Sequence, residues 1–236
     1  MGRTGWWVAA AAVGCGLVRR RLVRLTTISD DYAAYWRRRA RRPGRLRYVA
    51  LGDSLSQGLT ARRPERGFVG LLADRLAEVT GQTVAVLNWS VSGATVTDVL
   101  ADQLPRLAAL PGPAPDLVTV CVGSNDVTRT HPERFRPLFR ALCAGLPAGA
   151  LVADIPDFRR GPHMAGAARL SRICREVLAE FPALVPVAVE RATSTMRVRE
   201  LGLDLSHPGD AGHRRYAAAF TAALAGTGRF PPTSRT

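Results

Sequence analysis

No lysine occurs anywhere in the 236-residue chain; all 33 basic side chains are arginine. A phosphate-binding loop of the G-x-x-x-x-G-K-[ST] kind is therefore excluded, because its lysine is the residue that reaches the phosphates. Cysteine is scarce as well. Cys15, Cys121, Cys143 and Cys174 are too few and too scattered for a disulfide framework, and no Cys/His spacing suits structural zinc. Cys121 lies in an apolar run, and Cys143 and Cys174 in helix-like segments, where a thiol serves as a small buried hydrophobe. There is no HExxH motif, no repeat at solenoid periods and no apolar run of the ~20 residues that a spanning helix needs. Neither a cofactor nor a metal is expected.

What is present is one ordinary core and an unevenly placed charge. Apolar residues make up 47% of the chain, ample for a single α/β domain. The formal net charge is +14, but twelve of the arginines and only two of the nineteen acids fall in residues 1–47. The body is close to balanced, so no nucleic-acid partner is expected. Trp6 to Val18 is an uncharged run of thirteen residues followed by Arg19, Arg20, Arg21 and Arg24. A secretory signal carries its charge before the apolar run. This order instead suggests a short anchor or interfacial helix, with Trp6 and Trp7 at the headgroups and arginines on anionic lipid. The positive-inside tendency then places the body on the cytoplasmic side; export and a soluble cytoplasmic location are the alternatives. Asp30–Arg42 reads as an amphipathic helix with Tyr32, Tyr35 and Trp36, ended by Pro43-Gly44. The expected organisation is an N-terminal extension over 1–45, a domain over 46–225 and a tail over 226–236.

From Leu46 onward short apolar runs alternate with segments of helical period. Strands are predicted at Leu46–Leu51, Thr83–Leu87, Asp116–Val122, Ala150–Ala153 and Val185–Val189. Helices are predicted at Gly67–Thr80, Thr95–Leu110, 131–144, Gly166–Glu180 and Asp210–Leu224. Thr95 with Asp98 and Thr130 with Glu133 have capping-box spacing, and Pro105 predicts a kink. Such alternation argues for a parallel sheet with helices on its faces. Reactive residues in these folds gather at the carboxyl ends of the strands.

Of four segments that could carry chemistry, three sit at such ends. Gly52-Asp53-Ser54-Leu55 follows the first strand, where a tight strand-to-helix turn exposes a hydroxyl beside backbone N–H groups that can hold an oxyanion. Ser92-Gly93-Ala94 follows the second, where glycine lets a backbone N–H approach a substrate closely. Gly123-Ser124-Asn125-Asp126 follows the third, where an Asn amide can point at a developing oxyanion. Asp204-Leu205-Ser206-His207-Pro208 lies near the C-terminus. Its Asp and His are three apart, so one helical turn would bring them together, the carboxylate orienting the imidazole as a base. Asp53 and Asp126 read as loop-fixing carboxylates that accept backbone N–H bonds, and His131 and His213 as structural or solvated.

Taken together, the four segments resemble the SGNH (GDSL-type) hydrolases, over about residues 46–225. That resemblance implies a flavodoxin-like three-layer α/β/α fold with a five-stranded parallel sheet. It implies Ser54 as nucleophile, His207 as general base and then acid, and Asp204 as its orienting partner. Ser54 N–H, Gly93 N–H and the Asn125 side chain would form the oxyanion hole. Residues 52–56 do not match the GxSxG of the α/β-hydrolases. The basic extension departs from the simplest members of the family.

The expected function is cleavage of carboxylic esters or thioesters through an acyl-serine, in the manner of an esterase or lysophospholipase. An ordinary imidazole titrates near ~6.5, so activity should fall in acid. The expected partner is a small-molecule or lipid ester, together with a membrane surface met through the extension. Only 6% of residues are aromatic, which with no evident lid argues against a deep long-chain tunnel. A basic loop over Asp157–His163 would favour anionic acyl substrates. Two other functions are left open by the residues: acyl transfer on the same scaffold, and a non-catalytic basic module binding membrane or nucleic acid.

Overall fold

Five short apolar runs pair into one all-parallel sheet in the computed structural model, which describes residues 28–159 and 161–230. The strands are β1 (Leu46–Gly52), β2 (Val84–Asn88), β3 (Leu117–Cys121), β4 (Leu151–Ala153) and β5 (Val185–Val187). Their order is β2-β1-β3-β4-β5, the doubly wound order in which ligand sites form where the winding reverses. β3 is buried along its whole length, as a strand covered on both faces should be. Its alternate residues serve opposite layers. Val118 and Val120 join one core and Leu117 and Cys121 the other, the two-residue period of a pleated strand.

Helices cover both faces. One layer holds α4 (residues 96–108), α6 (Pro132–Ala144) and α7 (Met164–Leu178), with Phe135 and Phe139 stacked in its centre. The other holds α1 (residues 28–39), α3 (Phe68–Thr80) and α9 (Asp210–Gly226), where Phe68 stacks on Phe220 at 4.7 Å. Short helices α2 (Ser54–Gln57), α5 (Asp126–Arg129) and α8 (Val189–Thr193) lead off β1, β3 and β5. The chain thus winds to opposite faces after β1 and β3, which are neighbours. The crevice at their carboxyl ends is the place for a site.

Several local expectations are corrected. β5 stops at Val187, and Val189 begins a helix whose Glu190 N–H is bonded by the Asp154 carboxylate at 2.8 Å; a short apolar run does not separate strand from buried helix. The helix at Pro105 has a π-helical stretch over Val99–Gln103, with Leu104 N–H donating to Val99 O. This absorbs the proline, which cannot donate, at the return to α geometry. The Thr95–Asp98 capping box forms. The one at Thr130 does not: His131 is the N-cap of α6, and Thr130 Oγ1 instead bonds Asp126 Oδ1 at 2.7 Å. The helix placed at Asp30–Arg42 ends at residue 39 and lies against the body, with Trp36 buried. Cys121, Cys143 and Cys174 are buried free thiols, as read. The run from Trp6 to Val18 lies outside the described residues, and among those described no helix is long and apolar enough to cross a membrane.

Candidate active site

Gly52 closes β1 with φ +140°, and a Cβ there would lie 2.0 Å from Cys121 O. No other residue lets β1 and β3 come so close. Immediately after it Asp53 caps α2, its carboxylate accepting from Leu55 N–H at 2.9 Å. Ser54 therefore stands at the first position of a helix, where backbone N–H groups have no intrahelical acceptor. The residue as a whole is buried, but its hydroxyl faces the C-terminal segment: Ser54 Oγ lies 2.9 Å from His207 Nε2.

His207 reaches that point from a tight turn, not from the helical turn that the spacing suggested. Leu201 and Pro208 form an antiparallel bridge, His207 O accepts from Gly202 N–H at 2.8 Å, and Leu205 takes a left-handed φ of +57°. Asp204 Oδ2 lies 2.6 Å from His207 Nδ1, and Oδ1 accepts from the Ser206 and His207 N–H groups at 2.9 Å each. Burial works against a charge on Asp204, but the bonds from His207 and from these backbone groups outweigh it and hold the carboxyl below its usual range. An ionised Asp204 fixes the tautomer: Nδ1 carries the proton and Nε2 is bare towards the Ser54 hydroxyl.

The remaining two segments close the opposite side. Gly93 has φ +82°, and its carbonyl is held by Arg129 Nη1 at 2.8 Å. The Ser54 and Gly93 N–H groups donate to no acceptor among the described residues. Asn125, at the start of α5, donates from Nδ2 to Ala94 O at 3.0 Å and, over a longer 3.4 Å, to Asp53 Oδ2. Asp126 ties the same segment to α4 by accepting from Val96 N–H at 3.0 Å. Asp53 and Asp126 thus fix loops through backbone N–H bonds. Burial pushes the Asp53 carboxyl up to about 7, against the opposing pull of the Leu55 N–H and of His207. The structure brings Ser54, Asp204 and His207 into one hydrogen-bonded line, with Asn125 joined to the neighbouring Asp53 and to the segment that carries Gly93.

Some supporting residues were not anticipated. Gln103, buried on α4, bonds both polar groups of Gly52. Gln57 Nε2 donates to Ser90 O at 3.0 Å and Asn88 Nδ2 to Ser56 O at 2.7 Å, lacing the β1 and β2 loops together. The segment after α2 is fastened to the His207 region. Thr60 Oγ1 donates to Pro208 O at 3.0 Å, Arg62 N–H to Asp210 Oδ1 at 2.7 Å and His213 Nε2 to Leu59 O at 3.2 Å. His213 is fully buried, and burial lowers its pKa to about 4. It is structural, one of the two roles read for it. Gln103 left one usable signal in the sequence, as a polar residue on the apolar stripe Val99, Gln103, Leu107. His213 and Thr60 left none, since their partners are distant in the chain.

A serine, an imidazole and a carboxylate in line beside a glycine- and asparagine-bearing rim are chemically able to carry out nucleophilic attack on a carbonyl. The chain belongs to the GDSL-like lipase/acylhydrolase family, whose model matches residues 50–215, and it is an ester-cleaving hydrolase. Among solved structures it is similar to TesA, with 28% identity and a TM-score of 0.62 over 75% of this chain and 97% of that one. It is also similar to a variant of Axe2, an acetyl xylan esterase from Geobacillus stearothermophilus, with 21% identity, a TM-score of 0.63 and coverage of 81% and 98%. A third is the lipase/acylhydrolase from Enterococcus faecalis, at 20% identity and 0.62 over 80% and 100%. The last two, at such low identity, speak for the fold alone. No curated protein matches the sequence.

Proposed function

We propose that the enzyme cleaves carboxylic esters through an acyl-serine formed on Ser54. The observation that carries this is the unbroken line from Ser54 Oγ to His207 Nε2 at 2.9 Å and from His207 Nδ1 to Asp204 Oδ2 at 2.6 Å. In the first half-reaction His207 Nε2 takes the hydroxyl proton as Oγ bonds to the ester carbonyl carbon. The carbonyl oxygen becomes an oxyanion received by Ser54 N–H, Gly93 N–H and Asn125 Nδ2. Collapse breaks the bond to the alcohol oxygen, which leaves with the proton from His207. Water then repeats the sequence on the acyl-serine and releases the acid. Asp204 keeps its charge throughout and stabilises the imidazolium. A fluorophosphonate probe should label wild-type protein and not Ser54→Ala; equal labelling of the two removes Ser54 from this role.

The substrates we infer are small esters with an apolar acyl group. The support is local: Leu203 and Leu205, on either side of Asp204, are 80% and 60% exposed, and Val91, two residues before Gly93, is 55% exposed. An acyl series from acetyl to octanoyl should show kcat/KM rising with the first added methylenes. A preference for acetyl alone defeats this reading. Association with an anionic membrane surface is proposed on the exposed Arg37, Arg38, Arg41 and Arg42 at and beyond the end of α1, and co-sedimentation with phosphatidylglycerol vesicles tests it.

A further inference from the structure

Two carbonyls of the segment that carries Ser54, Gln57 O at the end of α2 and Ala61 O one turn further on, are among those that neither the sheet nor α2 satisfies. Both are taken by α1. Trp36 Nε1 donates to Gln57 O at 2.9 Å, and Tyr32 Oη to Ala61 O at 2.5 Å. Both rings are buried, Trp36 in the same core as Leu55 and Phe68. Burial pushes the Tyr32 phenol up to about 12, so the hydroxyl remains a donor across the working range. The opposite side of this segment is fastened to the base-bearing region through Leu59 O, Pro208 O and Asp210. Residues 54–62 thus lie clamped between α1 and the His207 turn. Thr60, in the middle, is held at a left-handed φ of +67°, a conformation that a threonine keeps only when its surroundings impose it.

α1 lies wholly before residue 50, where the family match begins. We infer that α1 is nonetheless a working part of the hydrolase: Trp36 and Tyr32 are positioning residues that set the Ser54 hydroxyl against His207 by holding the far end of its segment. This rests on Ser54 being the nucleophile. The Ser54–His207 contact is a single hydrogen bond at the near end of a segment whose other fastenings to α1 and to the His207 region all lie at its far end, and displacement of a reacting group by ~1 Å can cost ~100-fold in rate. Loss of one clamp, with the other intact, should cost less than that.

The test compares Tyr32→Phe/Trp36→Phe, which removes both donors and leaves an aromatic ring at each position, with Tyr48→Phe. The control also deletes a buried hydroxyl bond in the same layer, the 2.9 Å contact of Tyr48 with Thr119, which involves no group of the Ser54 segment. The expected result is a kcat for p-nitrophenyl butyrate lowered ~10-fold with KM little changed, and fluorophosphonate labelling of Ser54 slowed in parallel. Tyr48→Phe should lower Tm and leave kcat and labelling rate at the wild-type values. If the double variant does not fold, each single Phe variant is read in the same way. A double variant that loses Tm but labels and turns over like wild type overturns the inference. If Ser54→Ala is still labelled and active, the nucleophile reading itself fails. Loss of labelling in Ser54→Ala with wild-type rates in the Phe variants rejects only the role of α1.

Discussion

The side-chain amide of Gln103 pairs with both polar groups of Gly52, its Oε1 accepting from Gly52 N–H at 2.8 Å and its Nε2 donating to Gly52 O at 2.9 Å. β2 ends at Asn88, opposite Ala50; the chain beyond it still donates from Val91 N–H to Gly52 O at 3.1 Å but gives the Gly52 N–H no acceptor, and the glutamine supplies that one. The π-helical stretch of α4 ends on this residue, so the irregular turn and the paired amide belong to one device.

Gln103→Ala should therefore cost ~1–3 kcal/mol, the penalty for leaving a buried N–H unpaired. Gln103→Glu should fare no better: Gly52 O keeps its bond from Val91 N–H at 3.1 Å, but the new carboxylate is buried with one oxygen against that carbonyl. Urea unfolding midpoints measure both. A wild-type midpoint for either would show the pairing to be dispensable.

Asn125→Ala should fold and lose ~10²–10³ in kcat with KM nearly unchanged, the signature of a donor that acts mainly in the transition state. In the free enzyme Asn125 already donates to Ala94 O and, at 3.4 Å, to Asp53. On the proposed mechanism the long contact is the one an oxyanion would displace. Steady-state kinetics on a soluble ester decides; unchanged kcat dismisses the oxyanion role.

Two glycines should respond differently to alanine. At Gly52 the new Cβ meets backbone, Cys121 O at 2.0 Å, and no side-chain motion relieves it, so Gly52→Ala should give little or no soluble protein. At Gly93, among the described residues, the one atom within 4 Å of a new Cβ is Arg129 Nη1 at 4.0 Å, leaving a left-handed φ as the main penalty, ~1–2 kcal/mol. Gly93→Ala should fold, melt a few degrees lower and lose more activity than stability. Soluble yield, thermal melts and kcat separate the two cases.

His213 predicts a pH effect on stability. Its folded pKa, about 4, lies below the ordinary 6.5, so the unfolded chain binds the extra proton between those values and stability falls as pH drops through that window. The shift corresponds to on the order of 3 kcal/mol. Asp53 works in the opposite sense: its folded pKa, about 7, lies above 3.8, so its contribution falls as pH rises over much the same range. The wild-type profile is the sum, and the two are separated by substitution. His213→Gln, neutral at every pH, should gain on wild type as pH falls from 6.5 to 4. Parallel urea midpoints across that range would contradict this.

The features legible in the sequence were those whose cause is local. Gly52-Asp53-Ser54 announces a turn because a glycine at the end of an apolar run and an N-capping aspartate are neighbours in the chain. The buried β3 shows as an uninterrupted apolar run, and the Thr95–Asp98 box closes within one helical turn. What the sequence hid depends on partners far along the chain. Nothing near Gln103 points to Gly52, and nothing near His213 or Thr60 points to the other side of the site. Asp204 and His207 were matched by spacing, but the geometry that joins them is a bridged turn with Leu205 left-handed. The end of β5 was misplaced because Val189 is buried equally well in a strand or in the helix it begins.

The exclusive use of arginine has a consequence for alkaline conditions. In the ion pair of Arg215 with Glu200, at 2.6 Å, the carboxylate raises the guanidinium above its usual range and is itself held below its own, whereas an ordinary lysine is discharged near ~10.4. The buried phenols of Tyr32, Tyr48 and Tyr216 and the thiols of Cys121, Cys143 and Cys174 are all shifted upward by burial. Few groups inside the described fold are left to ionise in mild base, so its internal charge pattern should change little between pH ~8 and ~10.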